Sequence, residues 1–469
     1  MNENGILEKV FKLKAHGTNV KTELMAGLTT FMTMAYILAV IPNVLSATGM
    51  DPTAVLLATC LASFIGTMCM ALLANLPFAL SAGMGLNAYF AYTVVLGNGY
   101  SWQTALMAVF VEGIIFIILS LTNVREAIFN CIPITLKKAI SVGIGLFICF
   151  IGLQNAGLAA DAPTLVSIID FRESFHTSGI CALLAVIGTL AMSILYIKKA
   201  PGSILIGIVG TWVLGIICEL TGLYTPDGEE FMTLIPTFRL TDFSKLGLTF
   251  GKCFDFGLKD TGVFNFFVVV FSFLFVNLFD TIGTLVGVGS KAGMLDKDGK
   301  LPAIKSALLS DAIATSAGAV LGTSSTSTFV ESASGVGAGG RTGLTAMTTA
   351  VLFLVSMLLA PIFIAIPAFA TAPALILVGF LMFSSIGELM FTDDNYTQMI
   401  PAYLCIVAMP LFYSISEGIS IGIISYVVIN LFCGKRKVIN PLMYVLAVLF
   451  VLKYVFLYRK TIFTEMFLK

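Results

Sequence analysis

Charge is scarce in this sequence. Of its 469 residues, 11% are Asp, Glu, Lys or Arg, about half the roughly 25% of an ordinary soluble domain. That excludes a water-soluble globular fold, and the 58% hydrophobic share with a mean hydropathy of +0.99 agrees. Net charge is zero, so nothing points to nucleic acid as a partner. Histidine is rarer still. His16 and His176 are the two, both in segments expected in solvent, which removes a histidine proton relay and any histidine-based triad. Cysteine follows no metal-ligand or disulfide spacing; Cys60, Cys69, Cys149, Cys181 and Cys405 sit inside apolar runs as small apolar side chains. A cleavable signal pattern is also missing. "MNENGILEKVFKLKAHGTNVKTE" is polar and basic, and the first apolar run is long enough to span a bilayer. No enzyme constellation and no cofactor site can be assembled from what remains.

What is present is a series of long apolar runs, which defines an all-α integral membrane protein. Runs of about 20 residues suffice to cross. They start near Glu23, Pro52, Ser101, Pro133, Ser178 and Gly202, and again near Val263, Leu301, Thr342, Ala372, Tyr396 and Ser416. Two further stretches are too short and too rich in small residues for ordinary spans: "LPFALSAGMGLNAYFAYTVV" from Leu76 and "GTSSTSTFVESASGVGAGG" from Gly322. Counting both predicts fourteen crossings. Lys9, Lys12, Lys14, Lys21, Arg125, Lys137, Lys138, Lys198, Lys199, Lys291, Lys297, Lys300, Lys305, Lys435, Arg436 and Lys437 then share one side, expected to be the cytoplasm. The long loop carrying "PDGEE" falls outside. The expected location is the plasma membrane, with both termini cytoplasmic. "PLMYVLAVLFVLKYVFLYRK" from Pro441 could cross again; basic clusters on both sides favour a helix at the inner surface or packed against the bundle.

The halves resemble each other. "GMG" at Gly83–Gly85 and "GVG" at Gly335–Gly337 lie 252 residues apart, as do Gly66 and Gly318. Seven crossings per half invert the second half relative to the first. Inverted repeats with short broken helices at mid-membrane are typical of secondary transporters.

Polar residues inside apolar surroundings mark the candidate site. Gly, Ser and Thr let backbone leave the helical path, and irregular backbone at membrane depth survives where protein or a water-filled cavity satisfies it. Helix packing explains the glycines of the second stretch but not its carboxylate, Glu331. An acid at mid-span costs about 2.5–3.5 kcal/mol on insertion scales, and such acids are functional by default. Asp280, in "FVNLFDTIGTLVGV", carries the same cost; Asn277 and Thr284 are placed with it as one polar stripe by helical spacing. Asn87 follows the first break as a cap or ligand contact. Phe78, Tyr89, Phe90 and Phe329 adjoin the breaks and could stack on a flat ring, although core packing is the commoner use of such residues. Glu112 reads as interior and structural, Asp311 as structural or coupling, and Arg341 as an inner-interface anchor. The glycine-rich stretch is no phosphate loop, for it lacks the Gly-Lys-Ser/Thr ending.

"AGLTTFMTMAYIL" from Ala26, "GMGLNAYFAY" from Gly83, "LFDTIGTLVGV" from Leu278 and "GTSSTSTFVESASGVGAG" from Gly322 together resemble the AzgA-like purine permeases of the nucleobase–cation symporters. The match runs in order along nearly the whole chain. The resemblance implies a seven-plus-seven inverted repeat, with the third and tenth spans each a short strand followed by a half-helix. It divides the chain into a cytoplasmic N-terminus (1–22), a core domain (23–125 and 263–370), a gate domain (133–221 and 372–433), an extracellular loop (222–262) and a C-terminal segment (434–469). It implies proton-coupled uptake of hypoxanthine, guanine or adenine by an elevator motion, without a cofactor beyond the proton. Glu331 carries over as the carboxylate that holds the base, Asp280 as the eighth-span acid and Asn87 as the third-span polar contact; Asp280 and Glu331 are the candidates for proton coupling. Asn277 stands where many members have Asp, and Ser332 follows the tenth-span acid where uracil and xanthine carriers usually have Asn. The implied partners are a purine base and the lipid bilayer, with a homodimer as the assembly to test. Carriers of other nucleobases or of anions share the fold, and a channel is the alternative of a different class. An anion carrier would want a cationic site, and no Lys or Arg falls in the broken segments before Arg341.

Overall fold

The computed structural model describes residues 6–121, 131–162, 165–172, 175–200, 202–226, 233–235, 240–257, 262–291, 294, 301, 303–389 and 395–457. Arg125, Lys297, Lys300 and most of "PDGEE" lie outside them. Among the described residues, ten helical stretches are long and apolar enough to cross a membrane, with three shorter apolar helices besides.

The first half comprises α1 (Val20–Met34), α2 (Ile37–Ser46), α3 (Pro52–Cys69), strand β1 (Leu80–Ala82), α4 (Met84–Ala88), α5 (Trp102–Leu121), α6 (Ile134–Asn155), α7 (Ile180–Ile197) and α8 (Ser203–Leu220). A small hairpin, β2 (Ala159–Ala162) with β3 (Leu165–Ile168), lies between α6 and α7. The second half comprises α9 (Val263–Lys291), α10 (Ile304–Leu321), β4 (Thr326–Thr328), α11 (Ser332–Gly337), α12 (Gly343–Ser356), α13 (Ala368–Phe383), α14 (Tyr396–Leu411) and α15 (Ile415–Phe432), then α16 (Pro441–Leu457). Helix starts follow local chemistry. Asn19, Asp51, Thr342 and Ser414 each accept a backbone N–H of the first turn of α1, α3, α12 and α15, satisfying donors the helix itself cannot.

Packing sorts the helices into two groups. In one, α1 lies on α12, α3 on α10 and α12, and α5 on α10 and α9, around the two single strands. In the other, α6 lies on α13 and α14, α7 on α8 and α13, and α14 on α15. The strands meet inside the first group. β1 and β4 run antiparallel, with Leu80 opposite Thr328, Ser81 opposite Ser327 and Ala82 opposite Thr326. Each strand is followed by a short helix, so the expected strand-and-half-helix form of both broken segments is present. Strand pairing satisfies backbone groups that no water reaches.

Asp51 ties the start of α3 to the neighbouring loop. Its carboxylate accepts from Thr53 N and Ala54 N, and Lys245 Nζ lies 3.0 Å away. Burial pushes this carboxyl up, but the Ala54 N–H, the Lys245 ammonium and the Thr53 N–H outweigh it and hold it below its usual value. A group depressed on folding stabilises above its unfolded value, about 3.9, and that stability is lost as pH falls through the lower folded value. Asp51→Ala is therefore expected to cost about 1 kcal/mol at neutral pH as a lost N-cap. The gap in unfolding midpoint between mutant and wild type should narrow as the pH falls below about 4; an equal gap at pH 7 and in strong acid would contradict this.

The last helix takes the second of the two placements expected for it, packed against the bundle. α16 runs antiparallel to α15, and Tyr454, near its end, donates a hydrogen bond to Glu417 in the first turn of α15. It buries Met443, Leu446, Ala447 and Phe450, and Phe450 packs on Phe271 and Phe275 of α9 with ring centroids 5.6 Å apart in both pairs. Its outer face is Val445, Val448, Leu449, Val451 and Leu452. A surface helix needs a polar face, and the exposed residues described along this one are apolar. It returns along the bundle beside α15. Phe11 is bonded to Asn75 before the first broken segment, and Thr93, past the break, is bonded to Tyr413 beside Glu417. Tyr454 thus lies toward the end of the bundle away from Phe11. An epitope tag appended after Lys469 should react with antibody in intact cells, and one placed in the Gly434–Asn440 turn should react after permeabilisation. The reverse pattern would restore the inner-surface reading.

Candidate functional site

The two strands bring the two acids together. Glu331 immediately precedes α11, and the Tyr36 hydroxyl, between α1 and α2, donates to Glu331 Oε1 at 2.7 Å. Asp280, near the middle of α9, accepts from Ser327 Oγ of β4 at 2.6 Å. Both acids are part-buried. Asp280 lies close enough to Glu331 and to Tyr36 for direct electrostatic interaction. Gly83, at the turn from β1 into α4, makes room for this. A Cβ there would stand 2.7 Å from Ser327 Oγ and 3.1 Å from Asp280 Oδ2. At Gly335 a Cβ would run into Thr30 Oγ1 and Ala26 O, so α11 lies directly on α1. Thr33 and Ser334 bridge the same contact at 2.8 Å.

Asn87 is fully buried; its amide donates to Ala82 O at 3.1 Å and its Oδ1 has no hydrogen-bond partner among the described residues. Thr328 Oγ1, in β4, is buried and unpartnered in the same sense, as is Ser324 Oγ just before it. Buried polar atoms are normally paired, so a cluster of orphans at the two breaks points to a ligand that would satisfy them. Phe78 and Phe329 are buried beside the strands, and Phe329 N donates to Ala79 O at 3.0 Å. Ser332 Oγ accepts from Ala79 N at 3.0 Å, locking one broken segment to the other. Thr284 lies part-buried one turn beyond Asp280.

Asn277 does not share Asp280's setting. Its amide donates to Glu112 Oε1 and to Ser325 Oγ, both at 2.8 Å, and its Oδ1 accepts from Thr281, which also donates to Asp311 Oδ1. The expected stripe of Asn277, Asp280 and Thr284 is thus split. Three residues turn a helix through about 300°, and the remaining 60° is enough to aim Asn277 at α5 and α10 instead. Glu112, Asn277, Thr281 and Asp311 form one fully buried network. Arg341 spends its guanidinium on Val336 O and Gly340 O, both at 2.7 Å. Two contributors carried no signal in the composition of their segments: Tyr36, and Glu23, whose buried carboxylate accepts from the Arg341, Thr342 and Thr345 N–H groups.

Apolar crossings around two paired broken segments, with acids at the crossing point, define a membrane transport protein and not an enzyme. The comparisons agree: the model of the Permease family (Xan_ur_permease) matches residues 21–452, and the chain belongs to that family. It is 45% identical over 454 residues to "Putative permease MJ0326" of Methanocaldococcus jannaschii, covering 96% of this chain and 98% of that one. It is 43% identical to "Guanine/hypoxanthine permease PbuO" of Bacillus subtilis over 94% of this chain and 98% of the other. Identity to "Adenine permease AdeP" of Escherichia coli is 41%, over 97% of each. Among solved structures, the transmembrane domain of the cyanobacterial bicarbonate transporter BicA shares the fold, with a TM-score of 0.60 at 16% identity over 86% of this chain and 97% of that one. Murine Slc26a9 in its inward-facing state gives a TM-score of 0.58 at 12% identity over 88% and 68%.

Proposed function

We propose that this permease takes up purine nucleobases, coupled to protons, by sliding the strand-bearing helix group as a core against the second group as a gate. The observation that carries the reading is the pair of acids, each held by a hydroxyl, beside the unpartnered Asn87 and Thr328 at the crossing of two broken segments. A purine is flat, neutral and rich in adjacent N–H donors. Glu331, already oriented by Tyr36, can accept from such a pair. Asn87 Oδ1 can accept a further N–H, and the Thr328 hydroxyl can donate to a ring carbonyl. The names of the relatives, adenine and guanine/hypoxanthine permeases among them, support a purine. An anion has less to bind here: the cation that follows the second break in the sequence, Arg341, is bonded to carbonyls.

Asp280 is the proposed proton carrier and the seven-plus-seven inverted arrangement the proposed basis of the slide. The test is uptake of labelled hypoxanthine into vesicles, competed by a panel of bases with and without a proton gradient. Guanine, adenine or both should compete and uracil should not, and an inward proton gradient should drive accumulation. Uptake competed by uracil but by no purine would overturn the substrate, and accumulation indifferent to the gradient would overturn the coupling.

A further inference from the structure

Glu112, in α5, is a buried acid with no task in the uptake scheme above. It is fully buried together with Asn277 of α9 and Ser325, which immediately precedes β4. The three side chains close a ring. Asn277 Nδ2 donates to Glu112 Oε1 and to Ser325 Oγ, both at 2.8 Å, and Ser325 Oγ donates to Glu112 Oε1 at 3.1 Å. Two amide protons and one hydroxyl proton serve these bonds, so each is used once. Thr281 Oγ1 stands 2.9 Å from Asn277 Oδ1 and 3.0 Å from Asp311 Oδ1, which fixes the way the amide points.

We propose that Glu112 is a positioning residue for the proton site: through Asn277 and Ser325 it sets the register between α9 and the second broken segment that places Ser327 on Asp280. This rests on the reading of Asp280 as the proton carrier of a purine permease. Asp280 lies three residues after Asn277, and Ser327 two residues after Ser325. Three residues of helix advance about 4.5 Å and two of extended chain about 6.6 Å, and alternate residues of extended chain share a face. The pairs Asn277–Ser325 and Asp280–Ser327 therefore form neighbouring rungs between helix and strand, at 2.8 and 2.6 Å. Glu112 anchors the first rung to a third helix, and a carboxylate suits the task because one oxygen takes both donors in charge-assisted bonds. Other bonds hold the backbone of the break. β4 pairs with β1, Gly83 N donates to Ser325 O at 3.1 Å, and Thr315 of α10 donates to Thr326 O at 3.0 Å. Glu331 is held separately, by Tyr36. Loosening the first rung should thus disturb Asp280 and spare the acid that meets the base.

The experiment sets two readouts side by side: equilibrium binding of labelled hypoxanthine to purified full-length protein, and purine-induced proton flux in vesicles. Ser325→Ala and Glu112→Leu should each lower proton flux about fivefold, the scale of one lost buried hydrogen bond, and leave binding within about twofold of wild type. Glu112→Gln keeps an acceptor oxygen for both donors and should keep wild-type flux. Ser327→Ala should lower flux as well, and adding Ser325→Ala to it should change nothing further, because independent losses multiply and losses through one contact do not. Where Glu112→Leu fails to fold, Ser325→Ala, which removes a single oxygen, decides together with the Ser327 pair. Uncoupling by Glu112→Gln would make Glu112 a carrier and overturn the positioning role. Equal losses of binding and flux in Ser325→Ala, or losses that multiply with Ser327→Ala, would reduce the ring to packing and overturn it too. Wild-type flux in folded Glu112→Leu, Ser325→Ala or Ser327→Ala would overturn the inference and leave the purine reading intact. Wild type that binds no purine, or moves no proton with it, would overturn both.

Discussion

Glu331→Gln should weaken purine binding by about 10- to 150-fold while the protein stays folded. The figure follows from one charge-assisted contact, worth about 1.5–3 kcal/mol. Glutamine matches the shape of the acid and reverses half of its polarity. In the native site Tyr36 donates to Oε1, so that oxygen is already committed. A glutamine that kept this bond would turn its NH₂ group to the ligand, presenting donors to the donors of the base. The fold has little to lose, because the Tyr36 bond to position 331 survives and Ser332, which locks Ala79, is untouched. Binding of labelled hypoxanthine to detergent-purified mutant, with size-exclusion elution as the check on folding, measures it. Wild-type affinity in a well-behaved mutant would remove Glu331 from the site.

Much of this arrangement could be read from residue types alone, and what could not has a physical cause. The two broken segments betray themselves because Gly, Ser and Thr cannot fill an ordinary lipid-facing span. Glu331 and Asp280 stand out because acids there are costly. Their mutual placement is less visible. It depends on the β1–β4 register, which sets Ser81 opposite Ser327 and so brings Ser327 to Asp280. No local pattern encodes a two-strand pairing between segments some 250 residues apart. Tyr36 was hidden for another reason. It sits in "TTFMTMAYIL", where a tyrosine is one more large residue in an apolar run, and its role is a hydroxyl reaching across 295 positions. Asn277 misled in the opposite direction, because spacing on one helix says which residues are neighbours and not which other helix they face. Glu112 and Ser325 settle that. For the last helix, flanking charge left an inner-surface and a bundle-packed placement open, and the contacts of Phe450 with Phe271 and Phe275 decide for the bundle.

Asp280→Asn should abolish concentrative, pH-driven uptake and leave purine binding and exchange in place. Asp280 is held by Ser327 of the second broken segment and lies within electrostatic reach of Glu331, so it travels with the ligand if the first helix group moves. An ionised acid carried across hydrocarbon is costly; a protonated one is not. The loaded group crosses most easily with that acid neutral, which ties movement inward to a proton taken up outside. Asparagine holds the site permanently in the neutral form. Its amide can still meet the Ser327 hydroxyl, so the geometry at Gly83 is kept, and the volume is nearly unchanged. The base should therefore bind and exchange across the membrane down its own gradient. No proton accompanies it at that position, and a pH gradient loses its grip on accumulation. Glu331, in the same electrostatic neighbourhood, is the alternative carrier, and the two acids would then share the proton as a coupled pair. Purine-induced proton flux in vesicles containing Asp280→Asn protein separates the two. Flux lost with exchange retained assigns the proton to Asp280. Wild-type proton-to-purine coupling in the mutant would move the role to Glu331.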